Sequence, residues 1–315
     1  MSAAVPRPVL LMAHGAAESV DELPAYYTHV RGSPPPPALL EELTERYRAI
    51  GGRSPLRSIT ASLAGGLERE LEARHGPGRF SVQFAFRHTA PYIEEVVGSI
   101  LNNGARAVLA IVLAPHRSGF VDQGYRRPIE AALRSSGRST PVQISPEWYL
   151  EPAFVALEAD LIREAVARLP PDLAPSCRVV FSAHSLPERI VAKGDPYPDQ
   201  LREGARIIAE RAGLTADRYT VAWQSAGRTG DRWLGPDLRE VLRQEHARGT
   251  RAVVVCPHGF VCDHLEVLFD IDIEAREVAD SLGLRMERTG MPNDRLPFVR
   301  ALADVVDRME RAPGR

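Results

Sequence analysis

RPVLLMAHG, residues 7–15, is an apolar run of strand length that stops on a histidine and a glycine. RVVFSAHS, residues 178–185, repeats that pattern in the second half of the chain. A second pair follows in the same order: VLAPH at 112–116 and VVCPH at 254–258. Short, wholly apolar runs of this kind read as parallel strands covered on both faces. In each, a histidine falls just past the carboxyl end, the edge of an open α/β sheet where ligands bind. The repeated order points to an internal duplication. It predicts two similar lobes whose strand-end histidines, His14, His116, His184 and His258, turn toward a cleft between them.

Working outward, further strands are expected at 81–86, 142–144 and 220–223, with 9–13, 108–114, 178–182 and 252–256 as the echoed ones. Amphipathic helical patterns lie between them, at 37–50, 59–75, 90–103, 151–168, 198–212 and 236–248. This alternation predicts βαβ units, an α/β fold of two Rossmann-like lobes, each a parallel sheet flanked by helices. The expected boundaries are 1–147 and 148–296, with a C-terminal helix within 297–315 packing back on the first lobe. A chain of 315 residues is long enough for two such cores.

The formal net charge of -2 offers no basic face to a nucleic acid. The longest apolar run is far short of the ~20 residues that span a bilayer. The amino-terminal stretch also lacks the form of a secretory signal. A cytoplasmic protein without a transmembrane segment is therefore expected, and a monomer is anticipated, though no residue pattern argues for it. Three cysteines, Cys177, Cys256 and Cys262, are too few for a disulfide framework.

The strongest local signal is DHLEVLFDIDIEARE, residues 263–277. Glu266, Asp270 and Glu274 recur every four residues, which on an α-helix makes one acidic stripe among Leu265, Val267, Leu268, Ile271 and Ile273. Carboxylates in a row on a largely apolar helix are costly unless cations offset them. The stripe is either a solvated acidic face or a path for a divalent cation. His184 is either a packed strand-end residue or, with a carboxylate from another segment, half of an open metal site that also accepts protons. Ser185 has no Gly-x-Ser-x-Gly surroundings, so no hydrolase triad can be argued from it.

Five runs then match in order: YRAIGGRSPL (47–56), FSAHSLPE (181–188), GDPYPDQL (194–201), WQSAGRTGDRWLGPD (223–237) and GFVCDHLEVLFDID (259–272). Together they resemble the signature blocks of ferrochelatases across nearly the whole chain. YYTHVR (26–31) and APH (114–116) resemble the Gram-positive form, which favours coproporphyrin III. The resemblance implies a lyase that inserts Fe²⁺ into a porphyrin in haem biosynthesis, with the two lobes facing across a porphyrin cleft. It implies His184 and Glu266 as the metal-binding and proton-accepting pair, and Asp270 and Glu274 as the rest of a carboxylate row. It also implies Arg31, Arg46, Tyr47, Ser54 and Tyr125 as porphyrin contacts.

His14 departs from the pattern, since Gram-positive relatives carry tyrosine there. An imidazole is the better neutral ligand for Fe²⁺. His14 could deliver metal, hold product haem axially, shift the metal preference toward cobalt or nickel, or change nothing. His88 is expected to begin a helix and His258 to lie near the acidic segment. No [2Fe–2S] cluster is expected, because four cysteine ligands are needed. Competing readings are a protoporphyrin IX ferrochelatase, a cobalt or nickel chelatase of another tetrapyrrole, and a non-enzymatic haem or metal carrier.

Overall fold

A computed structural model describes residues 5–311 apart from Arg228, and the side chain of Phe120 is also outside it. Residues 1–4 and 312–315, which the expected lobes include, lie outside the described residues. Contacts divide the chain into two compact units. One comprises Met1–Pro115, Gly119–Glu151 and Asn293–Arg315; the other comprises His116–Ser118 and Pro152–Pro292.

The first unit holds β1 (Arg7–Ala13), β2 (Phe80–Phe86), β3 (Val108–Val112) and β4 (Val142–Ile144), in the order β2-β1-β3-β4. The second holds β5 (Arg178–His184), β6 (Tyr219–Gln224), β7 (Ala252–Cys256) and β8 (Arg285–Arg288), in the order β6-β5-β7-β8. All pairings are parallel. The two sheets thus share one topology, and the echoed runs occupy equivalent central strands, β1 with β5 and β3 with β7.

Alternation along β5 shows why the strand must be apolar throughout. Val179 and Phe181 pack with Ile162, Ile208 and Val254 on one face, while Val180 packs with Leu242, Val253 and Ile271 on the other. Successive side chains leave a strand on opposite sides, so a sheet sandwiched between helices buries both sets. In the first unit, Leu10 and Met12 pack with Ile93, Val97 and Ile129 in the same way.

The helix Leu296–Arg311 belongs to the first unit and lies against the helix Leu56–His75. Arg74 bonds Asp304 at 2.6 Å and Asp307 at 2.9 Å, and His75 reaches Asp307 at 2.7 Å.

The elements depart from the sequence reading in five places. Helices Leu23–Arg31 and Gly119–Ser136 were not expected; the second carries Pro128 inside it, a residue that normally ends a helix. Strand β8 reads Arg-Met-Glu-Arg and buries only Met286, so its sequence carries almost no apolar signal. The helix expected from residue 90 begins at Ile93, where the Glu95 carboxylate accepts from the Tyr92 N–H at 3.3 Å, so His88 does not begin it. Finally, 263–277 is not one α-helix. It is a turn of α-helix (Leu265–Leu268), a π-helical segment (Asp270–Ala275) and a second α-helix (Arg276–Ser281). No helix among the described residues is long and apolar enough to cross a membrane.

Candidate metal and proton-transfer site

His184 is the last residue of β5, at the carboxyl edge of the second sheet. Its Nδ1 lies 2.6 Å from the Ser185 carbonyl, which can only accept, so Nδ1 carries the proton. The Nε2 lone pair is thereby presented outward, 3.6 Å from Glu266 Oε1. Both side chains keep about a third of their surface, 34% and 36%, so the pair is open to a ligand. Tyr197 hydroxyl donates to the His184 carbonyl at 3.3 Å, and Trp233 flanks the ring with centroids 6.2 Å apart.

Glu266 is positioned from beneath. Gln224, at the end of β6, donates from Nε2 to the Glu266 carbonyl at 2.8 Å, and Ser182 Oγ donates to Gln224 Oε1 at 2.8 Å. Ser182 and Gln224 are both buried, so this hydrogen-bonded chain ties the start of the acidic segment to β5 and β6. The other carboxylate oxygen, Oε2, lies 3.5 Å from Nε2 of His264, whose Nδ1 bonds the Cys262 carbonyl at 3.0 Å. Burial works against a charged His264 ring, but Glu266, the Cys262 carbonyl and Asp270 outweigh it and raise its pKa. The sequence reading missed His264; its only signal is its place two residues before Glu266.

The π segment changes the geometry of the carboxylate row. Glu274 N–H bonds the Phe269 carbonyl at 2.9 Å, five residues back. An α-helix offsets residues four apart by ~40°; the wider π turn changes how Asp270 and Glu274 are placed around the axis. Asp270 is buried and accepts a short hydrogen bond from Ser225. Arg239 lies 3.6 Å from Glu274, so the row is partly offset by a cation. Asp263 and Asp272, off the row, both pair with Arg288. Among the described residues no three His, Cys, Asp or Glu side chains are grouped so as to enclose a metal ion. His184 and Glu266 stand as a pair, each about one third exposed.

In the first unit His14 follows β1 and is exposed. Its Nδ1 lies 3.3 Å from the Tyr26 hydroxyl, and its ring is 4.5 Å from that of His88. His88 Nδ1 is 2.9 Å from His29 Nδ1. Burial, reinforced by His14, Arg87 and His29, pushes the His88 imidazolium down to about 3. His29 and Tyr26 come from the unexpected helix Leu23–Arg31. An unfolded His88 takes up a proton near pH 6.5 that the folded one refuses, so stability falls as pH drops below that value. From pH 7 to pH 5 this residue should lower the unfolding free energy by about 2 kcal/mol. Urea unfolding at both pH values checks it. In His88→Gln the acid loss should shrink by that amount, and an unchanged difference rules the account out.

The remaining candidates also lie in the first unit. Arg31 ends its helix and is exposed. Arg46 is paired with Glu42 at 3.0 Å. Tyr47, Ser54 and Tyr125 are buried. The Tyr47 hydroxyl accepts from the Ala17 N–H at 3.2 Å, and burial pushes the Tyr125 phenol up to about 12. All three cysteines are buried thiols.

With this geometry in view, the similarities are direct. The ferrochelatase family model matches residues 7–310. The coproporphyrin III ferrochelatase of Bacillus subtilis is 42% identical over 300 residues, covering 95% of this chain and 96% of that protein. A ferrochelatase of Herpetosiphon aurantiacus is 42% identical over 299 residues, covering 95% and 97%. Among solved structures, the sirohydrochlorin chelatase of Bacillus subtilis subspecies spizizenii, in complex with cobalt, superposes with a TM-score of 0.58 at 13% identity, covering 98% and 97%. That last likeness speaks for the two-unit α/β fold.

Proposed function

The chain belongs to the ferrochelatase family, and from that premise we propose that it inserts Fe²⁺ into coproporphyrin III, with His184 and Glu266 as the reacting pair. The relatives named for coproporphyrin III cover nearly the full length of both chains, which supports this ring over protoporphyrin IX. The observation that carries the assignment of residues is the His184 Nε2–Glu266 Oε1 distance of 3.6 Å at an exposed sheet edge.

The reaction exchanges two pyrrole N–H protons for one Fe²⁺, so it needs proton acceptors, a ring bent until its nitrogens point at the metal, and a route for the cation. Outward-facing His184 Nε2 and Glu266 Oε1 are the acceptors. Asp270 and Glu274 extend the carboxylates along the π segment as hard oxygen ligands for a hydrated divalent ion. The guanidinium groups of Arg31 and Arg46 suit the planar carboxylates of the ring's propionates. Tyr47, Ser54 and Tyr125 act from behind, by shape. His14 offers an imidazole to iron, as a ligand for incoming Fe²⁺ or an axial ligand of the product. No iron–sulfur cluster enters this mechanism, since three cysteines fall short of four ligands.

An anaerobic assay with Fe²⁺ tests the reading, following loss of the free-porphyrin spectrum with each ring. Faster turnover of coproporphyrin III is expected. Absence of turnover from folded protein that still binds the ring would transfer the assignment to another metal or to a carrier. The same spectra taken on His14→Ala decide the role of His14: a changed product band means axial ligation, a raised KM for iron means delivery. Identical spectra and KM remove it from the site.

A further inference from the structure

Behind β5 lies a group of polar side chains that the proposed chemistry does not use. His258 is fully buried, and Glu158 and His116 are nearly so. His116 Nε2 and His258 Nε2 are 3.1 Å apart, and His258 Nδ1 is 3.5 Å from Glu158 Oε2. Cys256 Sγ donates to the same Glu158 oxygen at 3.4 Å. Phe154 and Phe181 wall in the His258 ring. Such a buried polar network in an apolar setting is costly unless its members satisfy one another.

Only one proton can occupy the space between two Nε2 atoms at that distance. With a proton on His258 Nδ1, which faces Glu158 Oε2 at 3.5 Å, the ring keeps a lone pair at Nε2. His116 must then be the donor, Nε2–H to His258 Nε2. In that arrangement the Glu158 carboxylate favours one direction for the His116–His258 bond.

Two routes lead from His258 to His184. The His116 ring stands edge-on to Tyr197, with centroids 6.0 Å apart, and the Tyr197 hydroxyl holds the His184 carbonyl. The second route is the chain itself. Gly259, next after His258, donates its N–H to the Ser182 carbonyl at 3.0 Å and sits directly on Ala183. We propose that His258 is a positioning residue for iron insertion, holding the His184 end of β5 in place through its hydrogen bond with His116 and its close contact with the Glu158 carboxylate. This rests on His184 being a reacting group, as proposed above.

The test uses the full chain with His258→Val and His258→Gln, measuring kcat, KM for Fe²⁺, porphyrin Kd by fluorescence quenching, and Tm. Val cannot bond either neighbour and should lower kcat about 10–100-fold, the range for partners that orient a ligand, with the porphyrin Kd unchanged. Gln can accept from His116 while donating toward Glu158, and should recover most of that loss. Full kcat in folded His258→Val, or Gln no better than Val when both fold, overturns the proposal. Should Val fail to fold, ¹⁵N NMR of the unsubstituted protein decides. Protons on His116 Nε2 and His258 Nδ1 are expected, and a proton on His258 Nε2 refutes the arrangement. His184→Ala in the same assay separates the two ideas: if it turns over normally, the underlying site is wrong. If it is inactive while His258→Val is unimpaired, only the positioning role is lost.

Discussion

Glu266→Gln is expected to lower turnover by a factor of about 10²–10⁴, the usual contribution of a positioned proton acceptor, while porphyrin still binds. Gln keeps the shape of Glu266 and leaves the Gln224 hydrogen bond intact, because that bond is to the Glu266 backbone. What it removes is the anionic oxygen 3.6 Å from His184 Nε2 and the one 3.5 Å from His264 Nε2. His184→Ala should be as damaging for the complementary reason, since Nε2 is the ring nitrogen left free by the Nδ1 bond to Ser185. Removing one member of a unit costs nearly as much as removing both, so the double variant should be little worse than either single one. Steady-state kinetics with fluorescence quenching for porphyrin binding reads this directly. Either variant working near the normal rate would show that protons leave by another group.

Much of this arrangement is legible in the sequence, and the exceptions have physical causes. A central parallel strand must bury both faces, so β1, β3, β5 and β7 announce themselves as apolar runs. An edge strand need not, and β8, with only Met286 buried, is silent. The helix Gly119–Ser136 was obscured by Pro128 and its many charges, and with it went any account of why Tyr125 is buried. The four-residue spacing of Glu266, Asp270 and Glu274 predicts an α-helical stripe where the chain forms a π segment. Nothing in DIDIEA distinguishes a π turn from an α turn, since the difference lies in whether the Phe269 carbonyl meets an N–H four or five residues on. It meets both, Ile273 at 3.1 Å and Glu274 at 2.9 Å. His264 went unremarked, and the echoed His116 and His258, expected to turn toward a cleft, are instead buried and paired with each other, for a related reason. A lone histidine gains meaning only from a partner that topology supplies, here Glu266 in one case and the equivalent histidine of the duplicated pattern in the other.

Gly259→Ala tests how tightly that topology holds the site. A methyl group built at Gly259 would lie 2.5 Å from Ala183 Cβ and 2.8 Å from Ala183 Cα, closer than real carbon contacts allow. Neither neighbour can step aside, because Ala183 is fully buried in β5 and its Cα is backbone. Relief must come from moving the Pro257–Gly259 turn away from β5, which lengthens the 3.0 Å bond from Gly259 N–H to Ser182 O. Overpacking of this kind costs about 1–3 kcal/mol. For a chain of this size that corresponds to a fall in Tm of roughly 2–4 °C per kcal/mol. The functional cost should exceed the loss of stability, because the strand residue after Ala183 is His184, and its Nε2 must stay within reach of Glu266. A shift of about 1 Å at a reacting group can cost two orders of magnitude in rate. The expected result is folded protein with a lowered Tm, a kcat reduced far more than the folded fraction, and porphyrin binding retained. A kcat that falls only in step with the folded fraction would mean the His184 end of β5 tolerates displacement, and that the pair is held by Glu266 and its Gln224 anchor alone.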